Sequence, residues 1–278
     1  MNDPRIYRHT RSEMVLAFLA VFLLGIFAGV LAFIGTELTT ALTMGVFAVF
    51  GAIYAVVMFS YSVSMSATGI SSRMVWMEKS LSWSEIRQVK GNDNSLKLQD
   101  MDGSVTVAIH SHLPGFEEIV THIGDKRPDL FAPPAFDEMR RGLSSILPIA
   151  IVLLVLAGGA FFLSQSGEET WILLVLFAAL GLFLVVTLAT APRAVVLEAG
   201  ALRIEYLFRE RLIRAAEIQA AQLAYQNTRH GKVYFAQLLL VGGKKVKLTG
   251  LQPGAPVTYL ALREWHKRQM GVDSQYVV

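Results

Sequence analysis

Two histidines one residue apart, His110 and His112, are the first residues whose spacing invites chemistry. Side chains two apart on a strand share a face, so both imidazoles can reach one ion, and His122 offers a third nitrogen further on. No acidic cluster completes such a site, and the second half of the chain has no matching pair. Solvated histidines at a strand end are the simpler reading, and neither a metal nor a cofactor is expected. Asp100-Met101-Asp102-Gly103 suggests calcium only until the missing oxygen ligands and the missing distant Glu of an EF-hand loop are noticed. A hairpin turn accounts for it. No nucleophile elbow, Walker-type loop, zinc-protease motif or dinucleotide fingerprint is present, and the absence of cysteine removes thiolate chemistry and disulfides. The chain reads as a non-enzyme.

Charge carries more. From Ala191 to the end there are thirteen Lys or Arg, a net of +7, whereas Tyr61 to Gly142 has nine basic residues and a net of −2. The basic residues cluster as Arg209, Arg211 and Arg214, as Arg229 and Lys232, and as Lys244, Lys245 and Lys247. Such a patch suits anionic phospholipid or an acidic protein surface, and ordinary solvated charge is its simplest explanation. Nucleic acid fits poorly, because a denser basic stripe with interleaved aromatics is lacking.

The elements that would position these groups begin with four apolar blocks, Met14–Ile34, Thr39–Tyr61, Leu143–Leu163 and Trp171–Ala189, none containing Asp, Glu, Lys, Arg or His. A hydrocarbon core of roughly 30 Å needs about 20 helical residues, which each block supplies. Four transmembrane helices in two hairpins are expected. The first block is too long for a signal-peptide core and is followed at once by a second. The connecting loops GTEL and SQSGEE carry Glu37, Glu168 and Glu169 and no basic residue, while the N-terminal tail carries Arg5, Arg8 and Arg11. Positive-inside bias therefore puts both termini and both soluble regions in the cytoplasm. Arg140, Arg141 and Arg193 fall where membrane-edge anchors belong. Gly25 and Gly29 form a GxxxG in the first span, a surface suited to close helix packing or merely a pair of tolerated glycines.

Hairpin, soluble region, hairpin, soluble region is the order along the chain, and landmarks recur, the first two about 131 residues apart and the later ones about 140. Gly69 corresponds to Gly200, Ser84-Glu85-Ile86 to Ala216-Glu217-Ile218, Asp102-Gly103 to Gly242-Gly243, and Leu113-Pro114-Gly115 to Gln252-Pro253-Gly254. Within the first soluble region Met74, Trp76, Leu81 and Trp83 alternate with polar residues about a turn at Glu78-Lys79, and Val105, Val107 and Ile109 share a face. In the second, Leu202, Ile204, Tyr206 and Phe208 alternate, and Phe235–Val241 is a continuous apolar run. Helices are expected over Phe116–Ile123 and Pro256–Met270, the latter with a stripe of Tyr259, Leu260, Leu262 and Trp265. The division is a cytoplasmic tail over 1–13, a hairpin over 14–61, a soluble domain over 62–130, a linker over 131–142, a hairpin over 143–190, a second domain over 191–272 and a tail over 273–278.

Gly69-Ile70, Leu81-Ser82-Trp83-Ser84-Glu85-Ile86, the Asp-Gly turn, Val105-x-Val107-x-Ile109 and Leu113-Pro114-Gly115-Phe116-Glu117-Glu118-Ile119 resemble the bacterial pleckstrin-homology-like domains found beside transmembrane hairpins. The second region departs from that pattern at Ala215-Ala216 and Ala255-Pro256. The resemblance implies two small α+β PH-like barrels, each closed by a C-terminal helix, and leaves the activity open. With no ionisable residue in the apolar blocks, a proton-coupled pathway has nothing to run on. The expected function is a scaffold, assembly factor or accessory subunit of a membrane complex in a bacterial cytoplasmic membrane, with a protein partner or a homo-oligomer. Anionic-lipid binding is the alternative, and transport as an oligomer the third.

Overall fold

The computed structural model describes residues 4–34, 38–165, 171–229 and 231–271. The loops with Glu37, Glu168 and Glu169 and the tail over 273–278 lie outside the described residues. Six helices occur among the described residues: α1 (Arg11–Phe33), α2 (Leu38–Ser60), α3 (Phe116–Lys126), α4 (Leu143–Ser164), α5 (Trp171–Thr190) and α6 (Ala255–Gln269). The helix α1 starts at a capping box, in which the Thr10 hydroxyl accepts from Glu13 N–H and the Glu13 carboxylate accepts from Thr10 N–H. Three helices are long and apolar enough to cross a membrane, over Ser12–Ala32, Leu42–Ser60 and Trp171–Thr190. Their apolar side chains are turned outward, with Phe22, Phe50 and Leu182 each about two-thirds exposed. Water is a poor solvent for such a surface, and lipid a good one. The apolar stretch Ile146–Phe162 of α4 is shorter than these three.

By their contacts the residues form two compact units, one of Met1–Val89 with Lys97–Glu118, the other of Lys90–Leu96 with Ile119–Val278. In the first, α1 and α2 pack as a hairpin, and a four-stranded antiparallel sheet has the order β1-β2-β3-β4, with β1 at Arg5–Arg8, β2 at Ser62–Met65, β3 at Gly69–Met74 and β4 at Met77–Ser82. The segment expected as a plain tail is thus a strand: Arg5 pairs with Met65 and Arg8 with Ser62, so the hairpin leaves and re-enters one sheet. Val63, Met65, Ile70 and Leu81 are buried on its core face. The turn also differs from expectation, lying at Val75-Trp76 instead of Glu78-Lys79, because Met74 pairs with Met77. A three-stranded sheet of β5 (Gln88–Asn92), β6 (Ser95–Gln99) and β7 (Thr106–His110) follows in sequence, and then α3.

In the second unit α4 and α5 pack together, and a sheet of order β11-β10-β9-β8 comprises β8 (Glu138–Arg140), β9 (Ala194–Glu198), β10 (Ala201–Glu205) and β11 (Glu210–Arg214). Again a strand precedes the hairpin: Arg140 pairs with Ala194 inside what reads from sequence as a linker. A second sheet, β12-β13-β14, joins β12 (Ile218–Thr228), β13 (Gly231–Leu240) and β14 (Lys245–Leu248). The helix α6 packs on β12 and β13, and a 3-10 turn at Pro128–Phe131 also packs against it. The predicted stripe is buried, and so are Ala255 to Leu262 on every side, since the helix is covered on more than one face. Trp265 donates its indole N–H to the Glu198 carbonyl at 3.0 Å, Arg263 pairs with Asp125 at 3.0 Å, and Asp93 accepts from Ala255 N–H at 3.2 Å. Gly254 enters the helix with φ +96°, where a Cβ would lie 2.4 Å from the backbone of Asn92. Only glycine passes there.

Candidate functional site

Histidine supplies the most concentrated chemistry in the first unit. His110 closes β7 and His112 lies in the turn after it, while His9 immediately precedes the cap of α1. The three imidazoles stack as a column, with His112 in the middle, 5.4 Å from His110 at 18° and 5.5 Å from His9 at 10° between ring centroids and planes. Phe59 of α2 meets His9 edge-on, and Tyr61 meets His110 likewise while donating its hydroxyl to the Ala108 carbonyl. Parallel stacking presents ring faces, not lone pairs, to a common point. No group of three or more potential ligands suited to a metal ion occurs among the described residues, and His110 and His112 are part of an aromatic joint between helix ends and a strand end. Desolvation between two rings, and then the facing His110 and His9, push His112 down to about 4. Burial, followed by the nearby Lys97 charge, also holds His110 below its ordinary value. Both His110 and His112 are thereby biased toward the neutral imidazole. His9 was not singled out in the sequence, since its partners are about a hundred residues away.

The eight basic residues do not share one surface. Strand alternation puts Lys245 and Lys247 outward between buried Val246 and Leu248. Lys232 lies on the other face of the same sheet, in line with Tyr234 and Ala236, and its ammonium sits 4.1 Å from the Tyr225 ring centroid. Lys247 caps the Phe235 ring at 4.8 Å. On β11, Arg211 stands opposite Ile204 and Arg214 opposite Ala201, three positions apart and so on opposite faces. Arg209 lies in the β10–β11 turn over Tyr206 at 4.8 Å, Arg229 at the β12–β13 turn, and Lys244 in the β13–β14 turn. Exposed cations held over aromatic rings contribute about 0.5–1 kcal/mol each. Clustering in sequence thus resolves into an edge strand, a hairpin tip and an outer sheet face.

Just before α4, Arg141 donates from its guanidinium to the Leu188 carbonyl in the last turn of α5 at 3.3 Å. That is a favourable cation at a helix C-terminus, and burial lowers its pKa. Gly25 and Gly29 meet nothing within 4 Å where a Cβ would stand. Close approach inside the hairpins occurs elsewhere, at Gly51 against Val21 and Gly159 against Phe177.

The register also fixes which end of each sheet lies near its hairpin. Ser62, two residues after α2, pairs with Arg73, so the β3–β4 turn returns to the helix end. Ser60 at the end of α2 ties it there: its Oγ accepts from Val75 N–H at 2.9 Å and donates to the Val57 carbonyl at 2.9 Å. Val75 has φ +54°, a left-handed conformation that a β-branched residue rarely adopts. In the second unit Ala194, four residues after α5, pairs with Glu205, and the turn Tyr206–Arg209 follows, closed by Tyr206 N–H to the Arg209 carbonyl at 2.8 Å. The alternating strand expected through Phe208 therefore ends at Glu205. No protein-family model matches the chain, and no curated protein matches it.

Proposed function

We propose that the chain is a four-span membrane protein that presents two PH-like modules on the cytoplasmic face of a bacterial inner membrane. It acts as a scaffold, assembly factor or accessory subunit, through a protein partner or self-association. The observation that carries this reading is the recurrence of one element order in both halves: a strand, an apolar hairpin, three strands, a three-stranded meander and a helix. Seven strands and a closing helix are the parts of a PH-like barrel, and their repetition supports a duplication. The apolar length of α4 with its flanking residues supports a fourth span, since 22 helical residues rise about 33 Å. Each hairpin interrupts a sheet between its first and second strands, which couples that sheet to the bilayer more tightly than a terminal linker does. Such a platform suits presentation of a surface. The exposed edge strands β4 and β11 offer backbone groups to which a partner strand can add.

Gentle extraction into nanodiscs followed by native mass measurement tests the proposal. A homo-oligomer or a stoichiometric co-purifying protein is expected. A strictly monomeric particle with no companion at every extraction condition overturns it.

A further inference from the structure

Two turns present large apolar side chains that the described residues leave largely or half uncovered. Trp76 is 89% exposed and Met77 54% at the β3–β4 turn, and Phe208 is 82% exposed with Leu207 at 47% at the β10–β11 turn. An indole left so open is costly in water. Both turns occupy the same topological position, and in each unit the register brings that position back to the end of the second hairpin helix. In the first, the turn extends two to three residues past the Ser62–Arg73 row, about 7–10 Å toward the helix end, and Ser60 clasps it. In the second, it extends past the Ala194–Glu205 row by Tyr206 and Leu207, with Phe208 at the apex.

Cations sit one step behind each tip. The row Arg8, Ser62, Arg73 and Glu78 crosses the first sheet at its membrane end. In the second unit Arg140 stands in the corresponding row opposite Ala194, and Arg209 and Arg211 flank the turn. An aromatic tip with guanidinium groups behind it matches the layering of a bilayer interface, where rings settle at headgroup depth and cations meet phosphate.

We infer that the Val75–Met77 and Leu207–Phe208 turns are membrane-interface anchors, seating Trp76 and Phe208 at the headgroup–acyl boundary of the bilayer that the hairpins cross. The occupant of these apolar tips is lipid, because each is continuous with the end of an apolar helix of its own unit. This rests on the reading of the hairpins as membrane-spanning. The anchors hold each sheet at a set height and tilt, so that its opposite end faces the cytoplasm.

The cysteine-free chain allows a direct test. Trp76→Cys, Phe208→Cys and, as second variants, Met77→Cys and Leu207→Cys are each spin-labelled in the full chain and reconstituted into phosphatidylcholine vesicles containing phosphatidylglycerol. Leu182→Cys in α5 serves as the span reference, and collision with oxygen is compared with collision with a water-soluble nickel chelate. Expected is loss of nickel access with oxygen access retained at all four turn positions, at a depth shallower than Leu182→Cys. A lipid-buried label at 182 with water-exposed labels at both turns overturns the anchor while leaving the spans intact. A water-exposed label at 182 overturns the spanning reading and the anchor with it.

Discussion

Replacing Ser60 by Ala removes a side chain that binds the β3–β4 turn to the end of α2. Its Oγ accepts from Val75 N–H at 2.9 Å. The net worth of such a bond is about 0.5–1.5 kcal/mol, and leaving a buried N–H unmatched costs about 1–3 kcal/mol. Val75 is only partly buried, so water recovers some of this. The same bond holds Val75 at φ +54°, a conformation that itself costs about 1–3 kcal/mol. Together these give a local destabilisation of about 1–2 kcal/mol, or a roughly 5–30-fold rise in the open population of the turn. Hydrogen exchange in nanodiscs reads this directly: amides within 69–82 should exchange faster by that factor, while those within 201–214 stay unchanged. Val75→Gly should move the other way by relieving the left-handed strain. Unaltered exchange over 69–82 in Ser60→Ala, or an equal rise in both segments, would refute the reasoning.

Other outcomes follow from the same contacts. His112 is held near 4, below the usual histidine value of about 6.5. The unfolded chain therefore takes up the proton first, so stability is full above about pH 6.5 and declines as pH falls toward 4. The groups facing the column are Glu13, which lies 3.4 Å from His9, with Tyr61 and Lys97 beside His110. Thermal unfolding between pH 7.5 and 4.5 should show this decline, with His112→Gln flattening it; equal slopes contradict the stacking that keeps His112 neutral. Trp265→Phe removes the bond to the Glu198 carbonyl and should lower stability by about 1–2 kcal/mol in chemical denaturation, whereas Trp265→Ala should cost about 3–5 kcal/mol. Gly254→Ala drives a Cβ into the Asn92 backbone at a positive φ and should cost about 2–4 kcal/mol by the same assay.

The three helices long and apolar enough to cross a membrane were legible because lipid imposes a one-dimensional rule: long runs without charge, with basic residues gathered outside them. Parts of the sheets and of the last helix were legible too: Val107 and Ile109 alternate inward on β7 and the stripe of α6 follows the helical period, although Val105 falls just before the strand. What escaped depends on partners distant in sequence. Arg5–Arg8 looks like a basic flank until Val63 and Ser64 are brought beside it, and Glu138–Arg140 is too short to show a period. Trp76 and Phe208 fit an alternating pattern by spacing alone, yet both sit in turns, because pairing of Met74 with Met77 and of Glu205 with Glu210 ends the strands there. Clustering of Arg209 to Lys247 suggested one basic face, and alternation separated it into several. The histidine column needed His9 beside His112, a neighbourhood no local motif records.

The arrangement of the chain across a bilayer is tested most directly by labelling sealed vesicles of known orientation with a membrane-impermeant maleimide. Asp102→Cys in the β6–β7 turn and Lys244→Cys in the β13–β14 turn should both react from the face that carries the N-terminus, and Ser166→Cys in the loop SQSGEE only from the other. Reaction of the 102 and 244 variants from opposite faces, or of the 166 variant from the same face as both, contradicts the account.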